Sequence, residues 1–77
     1  MERVSIFLRT PLFSFGGAED AVPQGVIVIT GNLEDDGGAA IRIEAEELRD
    51  DRGRTLSDDS LTLYVPWEKI DHIVVFE

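Results

Sequence analysis

The stretch LYVPWEKIDHIVVFE, residues 63–77, constrains the fold more than any other part of the chain. It has the β-branched and aromatic content of one long strand, yet Pro66 cannot donate to a sheet ladder, and Glu68, Lys69 and Asp71 are poor strand formers. The ladder is therefore expected to stop at about Val65 and to restart with Ile73, Val74, Val75 and Phe76. Two strands joined by one tight turn and leaving it in different directions let a small sheet turn a corner.

The rest of the chain also reads as strands. Residues 3–10 alternate, with Val4, Ile6 and Leu8 on one face and Ser5, Phe7 and Arg9 on the other, and Pro11 is expected to end the run. Residues 12–25 mix Phe13 and Phe15 with glycines and Pro23, the composition of a long loop or a frayed hairpin. Residues 26–33, VIVITGNL, form a β-branched run interrupted by Gly31, where a bulge or sharp bend is predicted. After an EDDGG turn at 34–38, the period-two pattern of AAIRIEAEEL points Ala39, Ile41, Ile43 and Ala45 inward and Arg42, Glu44 and Glu46 to water. Ala, Glu and Leu favour helix, but a period of two outweighs propensity. A polar turn over 49–59 then leads into a strand over 60–65. The count is five short strands in a single domain spanning 1–77. The expected fold is all-β, a small, strongly bent antiparallel open barrel, because curling removes most of the edge that a flat five-stranded sheet leaves bare.

A chain of 77 residues buries only about 60% of its unfolded surface, so its core is thin. With no cysteine, disulfides and thiolate metal sites are excluded, and oligomerisation is the remaining route to extra stability. MERVSIFLRT is charged at positions 2, 3 and 9, which fits neither a signal peptide nor a membrane span, so a soluble cytoplasmic protein with no membrane partner is expected. Sixteen acidic against seven basic residues give a net charge of -9, which opposes nonspecific attraction to nucleic acid, and no DNA partner is expected. Lys69 is the single lysine beside six arginines, a surface suited to solubility or to a salty environment.

Few residues form a pattern that chemistry requires. His72 is the only histidine, and Asp71, its neighbour in a strand, is expected to point to the opposite face, so a general base oriented by a carboxylate is not predicted. The acidic groups Glu34–Asp35–Asp36, Asp50–Asp51 and Asp58–Asp59 lack the alternating spacing of a calcium loop. The paired glycines lack a phosphate-binding frame, and Ser5, Ser14, Ser57 and Ser60 lack a base. No catalytic residue, metal or cofactor is predicted, and the chain is read as non-enzymatic. Arg49, Arg52 and Arg54, with Arg42 on the preceding strand, make the one cationic cluster that suits phosphates, and Phe13, Phe15 or Trp67 offers a face for stacking bases. Asp50 and Asp51 lie between two of those arginines and offset them. Trp67 also suits a plug at one end of a barrel.

The spacing of these elements resembles that of Sm-like proteins, the Sm, LSm and Hfq group. Gly31 and Leu33 in ITGNLED match the glycine and leucine of that family's second strand, IRIEAEEL matches its alternating third, and TLYVPWEKIDHIVVF matches its fourth and fifth strands across one short turn. The resemblance covers residues 25–77 and implies a five-stranded open barrel. Asp35 or Asp36 falls where the family carries an RNA-binding aspartate; no asparagine follows it, and Pro66, Trp67 and Glu68 replace the family's arginine and glycine. It therefore implies a weakened RNA-binding role. It also implies a homo-oligomeric ring in which the fourth strand of one subunit pairs with the fifth of the next. Leu61, Leu63 and Val65 on one face, with Tyr64 on the other, and Ile73, Val74 and Val75 in the last strand are the residues expected at that interface, since neither strand carries a protective lysine. The other function expected of such a chain is a structural or adaptor module that binds another protein.

Overall fold

The computed structural model describes residues 2–12, 25–35 and 37–76. The loop expected over 12–25, with Phe13 and Phe15, lies almost entirely outside them, as does Asp36. The described residues form β1 (Glu2–Leu12), β2 (Val26–Asp35), β3 (Ala40–Arg49), β4 (Thr55–Ser57), β5 (Leu61–Pro66) and β6 (Ile70–Phe76). A single 3-10 turn, Trp67–Lys69, separates β5 from β6, and no α-helix occurs among the described residues. The fold is all-β.

All pairings are antiparallel and the sheet does not close. Its order is β4-β3-β2-β1-β6, with β5 sharing the outer edge of β3 with β4. The first half of β3 pairs with β5, from Ala40↔Pro66 to Ala45↔Leu61, and its end pairs with β4 at Leu48↔Ser57 and Arg49↔Thr55. The two strands on either side of the Pro66 interruption therefore go to opposite edges, β5 beside β3 and β6 beside β1. Six strands, not five, make the sheet. Thr55–Ser57, expected as part of a polar turn, pairs because the turn before it is drawn tight by Asp50.

One core holds the sheet in a curl. Val4, Ile6 and Leu8 of β1, Val26 and Ile29 of β2, and Ile41, Ile43, Ala45 and Leu48 of β3 pack together with Val65 of β5 and Ile70 of β6. Val65 and Ile70 stand on opposite edges of the hydrogen-bonded order yet share this cluster, which a flat sheet does not permit. Each fully buried Val, Leu or Ile contributes about 1.5–3 kcal/mol.

Bulges produce the bend. At Gly31 the register with β3 shifts, so that Thr30 faces Glu47 while Gly31 faces Ala45 and Glu46 is the extra residue. A Cβ at Gly31 would stand 2.1 Å from the Glu44 carbonyl oxygen and 2.8 Å from the Ala45 Cα, so only glycine lets the two backbones approach this closely. The extra residue also switches the inward parity of β3 from odd (Ile41, Ile43, Ala45) to even (Leu48). Ala39 is exposed, just outside the strand.

Two strands run further than expected. β1 continues through Pro11, where the register with β2 jumps from Phe7↔Val28 to Leu12↔Val26 and no ladder bond is demanded of the proline. β6 begins at Ile70, which pairs with Leu8, and the charged Asp71 is accommodated as the extra residue of another register shift.

Candidate functional site

The arginine cluster is held by carboxylates. Asp50 is buried at the end of β3, and its Oδ1 accepts the backbone N–H groups of Arg52 and Arg54, each at 2.9 Å. Its Oδ2 accepts Arg54 Nε at 3.0 Å. The Arg54 N–H, followed by the Arg52 N–H and the Arg54 guanidinium, lowers the Asp50 pKa below the ordinary carboxylate value against the opposing effect of burial. Arg49 Nη2 stands 2.9 Å from Glu47 Oε1. Of the three, Arg52 alone has no carboxylate within ion-pair distance among the described residues.

The remaining members of the expected RNA-binding set lie elsewhere. Arg42, seven residues from Arg49 along β3, is about 23 Å from it and so is not part of the cluster. A hydrogen bond to Tyr64 and then the charge of Glu34, 3.2 Å away, raise the Arg42 pKa above its usual value. Trp67 donates its backbone N–H to Ala39 O at 3.2 Å, which fixes it near the start of β3, at the end away from Arg49. Its side chain is not in the core but 41% exposed, so it does not plug the sheet. The sequence order had concealed this separation, because β3 runs the length of the domain between Arg42 and Arg49.

The expected interface residues lie on the two outer edges. Among the described residues β5 pairs only with β3, and β6 only with β1. Leu61 and Leu63 on β5 and Ile73 on β6 are half-buried, while Val74 is 41% and Val75 47% exposed. Val65 is fully buried in the chain's own core, so its side chain is not available to a partner. Because Val75 pairs with Val4 and Ile73 with Ile6, the odd residues of β6 continue the inner layer, and His72, Val74 and Phe76 lie on the outer face. On β5 the inner row is Leu61, Leu63 and Val65, and the outer row is Thr62, Tyr64 and Pro66.

The outer face carries a groove of about 720 Å³ that sequence reasoning missed. Phe7, Ile27, Val28 and Phe76 supply its apolar walls, and Ser5 and Thr30 lie on its floor with their hydroxyls 2.8 Å apart. Arg3, ion-paired with Glu46, and Arg49, ion-paired with Glu47, also line it. Two signals were present in the sequence: Phe7 on the supposedly polar face of its strand, and an apolar run at 26–29 that does not alternate.

His72 differs from its expected arrangement. Its Nδ1 stands 2.9 Å from Asp71 Oδ2, although neighbours in a regular strand point apart. The register shift at Asp71 breaks that alternation and lets the two side chains meet. The His72 ring stacks on Phe7 with centroids 4.5 Å apart. The pair is exposed and has no nucleophile beside it among the described residues. No group of three or more His, Asp or Glu side chains among those residues is placed to hold a metal ion. No helix there is long and apolar enough to cross a membrane.

No family model, curated protein or solved structure matches the chain.

Proposed function

We propose that this chain is a non-enzymatic Sm-like subunit that assembles with copies of itself by pairing β5 of one with β6 of the next. One observation carries the reading: both outer edges leave inner-row apolar side chains half-covered, Leu61 and Leu63 at β5 and Ile73 and Val75 at β6. Pairing the edges satisfies two rows of backbone groups and makes the inner layer continuous from subunit to subunit. The interface uses different surfaces on its two sides, so repetition generates a ring where the rotation closes.

RNA contact in this reading is weak. Each subunit adds nine uncompensated negative charges, and Arg49 and Arg54 are already engaged by Glu47 and Asp50. Multi-angle light scattering at micromolar concentration, with and without a short single-stranded RNA, tests both statements. A closed oligomer that does not take up RNA at physiological salt is expected. A folded monomer overturns the assembly, and submicromolar RNA affinity lost on replacing Arg49 and Arg52 overturns the weak contact. The outer-face groove favours a second reading, an adaptor that binds another protein, in which a partner's apolar side chains occupy it.

A further inference from the structure

The proposed edge pairing has a consequence for the outer face, and the inference drawn from it rests on that reading. A strand of six residues presents an edge about 20 Å long and one sheet about 10 Å thick, roughly 200 Å² of section. Stable interfaces cover about 800 Å² per partner, so the backbone ladder needs side chains on both faces beside it. The inner rows supply one set. On the outer face the exposed apolar side chains at these two edges are Tyr64, 69% exposed, on β5, and Val74 and Phe76 on β6.

We infer that Tyr64 of a neighbouring copy lies along the outer row of β6 and walls the groove on its Phe76 side, so that each groove is completed at a subunit boundary. Parity requires the placement. Any antiparallel register that keeps Leu61 and Leu63 of one copy beside Ile73 and Val75 of the next sets odd residues opposite odd. Even residues then face even, so Tyr64 stands opposite Val74 in one such register and opposite His72 in the register two residues away. Both positions lie in the row that ends at Phe76, which lines the groove. The occupant of this edge of the groove is thus a second copy of the chain. Tyr64 brings an aromatic face to Val74 or to the His72–Phe7 stack, contacts of the kind that stabilise paired strands.

The chain has no cysteine, which makes cross-linking decisive. Tyr64→Cys would be mixed in turn with Val74→Cys, His72→Cys and Val75→Cys, each oxidised mildly after its mass is measured. Mixed disulfides of position 64 with 74 or 72 are expected to form on the order of tenfold faster than with 75, whose side chain points to the other face. Preferred linkage of 64 to 75, or no mixed linkage in an assembled sample, overturns the composite groove while leaving the assembly standing. If Tyr64→Cys is itself monomeric, Thr62→Cys reports the same outer row, and its linkage to 74 or 76 in preference to 75 is the expected result. Wild-type protein that scatters as a monomer overturns the edge pairing and this inference with it.

Discussion

The two edges of the sheet are built differently. The β6 edge is one seven-residue strand, and Val74, Val75 and Phe76 at its end are each exposed by 40% or more. The β3 edge is covered by two short pieces, and only one of them invites pairing. β5 carries the half-covered leucines, whereas β4 is three residues long and sits between the charged turn at Asp50–Arg54 and the acidic pair Asp58–Asp59. A short strand flanked by charge is a poor template for another chain. The β4 end therefore limits where a partner can sit, and the β6 end supplies most of the apolar surface that would hold it.

The sharpest way to break this contrast is to charge each edge in turn. Val75→Lys puts an ammonium group in the inner row of β6 and is expected to convert the oligomer to monomer in light scattering, whereas Thr55→Lys on β4 leaves the mass unchanged. Equal loss in both variants would show that the edges are not distinguished as described. The bend that brings the edges around a common core comes next. Gly31→Ala forces a Cβ against the Glu44 carbonyl and the Ala45 Cα, both backbone atoms, and should cost about 1–3 kcal/mol. In a domain of this size that corresponds to a fall in Tm of roughly 4–8 °C per kcal/mol. Thermal unfolding followed by circular dichroism checks it, and an unchanged Tm would refute the close approach.

Acid should act on the guarded edge first. The Asp50 pKa is lowered by folding, so its contribution is present above the unfolded value of about 3.9 and is lost as pH falls through the lower folded value. Below pH 4 the turn that positions β4 should loosen, and Asp50→Asn should remove that part of the pH dependence. Amide exchange at Thr55–Ser57 between pH 5 and pH 3 reports it; protection there that survives acid in the wild type would refute the clamp. The smallest effect expected is that of salt. Subunits of charge -9 repel one another, and raising ionic strength from 0.1 M to about 1 M shortens the screening length from roughly 10 to 3 Å, so apparent oligomer affinity should rise with salt. Sedimentation across that range tests it, and weakening with salt would point to ion pairs across the interface.

The features legible in sequence were those set by local chemistry. Pro66 and the charges after it do mark a turn between two strands, Gly31 does sit at a bend, and the odd residues Ile41, Ile43 and Ala45 do face the core. Features that depend on register were hidden. β4 required the Asp50 clamp to exist before three ordinary residues could pair, and the approach of His72 to Asp71 required a bulge that no residue type announces. The separation of Arg42 and Trp67 from Arg49 came from strand length, and the groove came from strands laid side by side. Neither property belongs to any single segment.

The extra residue at Glu46 also determines how the domain tolerates changes in length. Removing any one inward residue from the first half of β3 would turn its remaining side chains to the wrong face, exposing isoleucines and burying carboxylates. Removing Glu46 does the opposite: Leu48 falls into step with Ile41, Ile43 and Ala45, and a regular strand results, less bent and without the carboxylate that holds Arg3 and Asn32. Among positions 41–48, a one-residue deletion in this lineage should therefore survive at Glu46, where it yields a flatter sheet with its core intact.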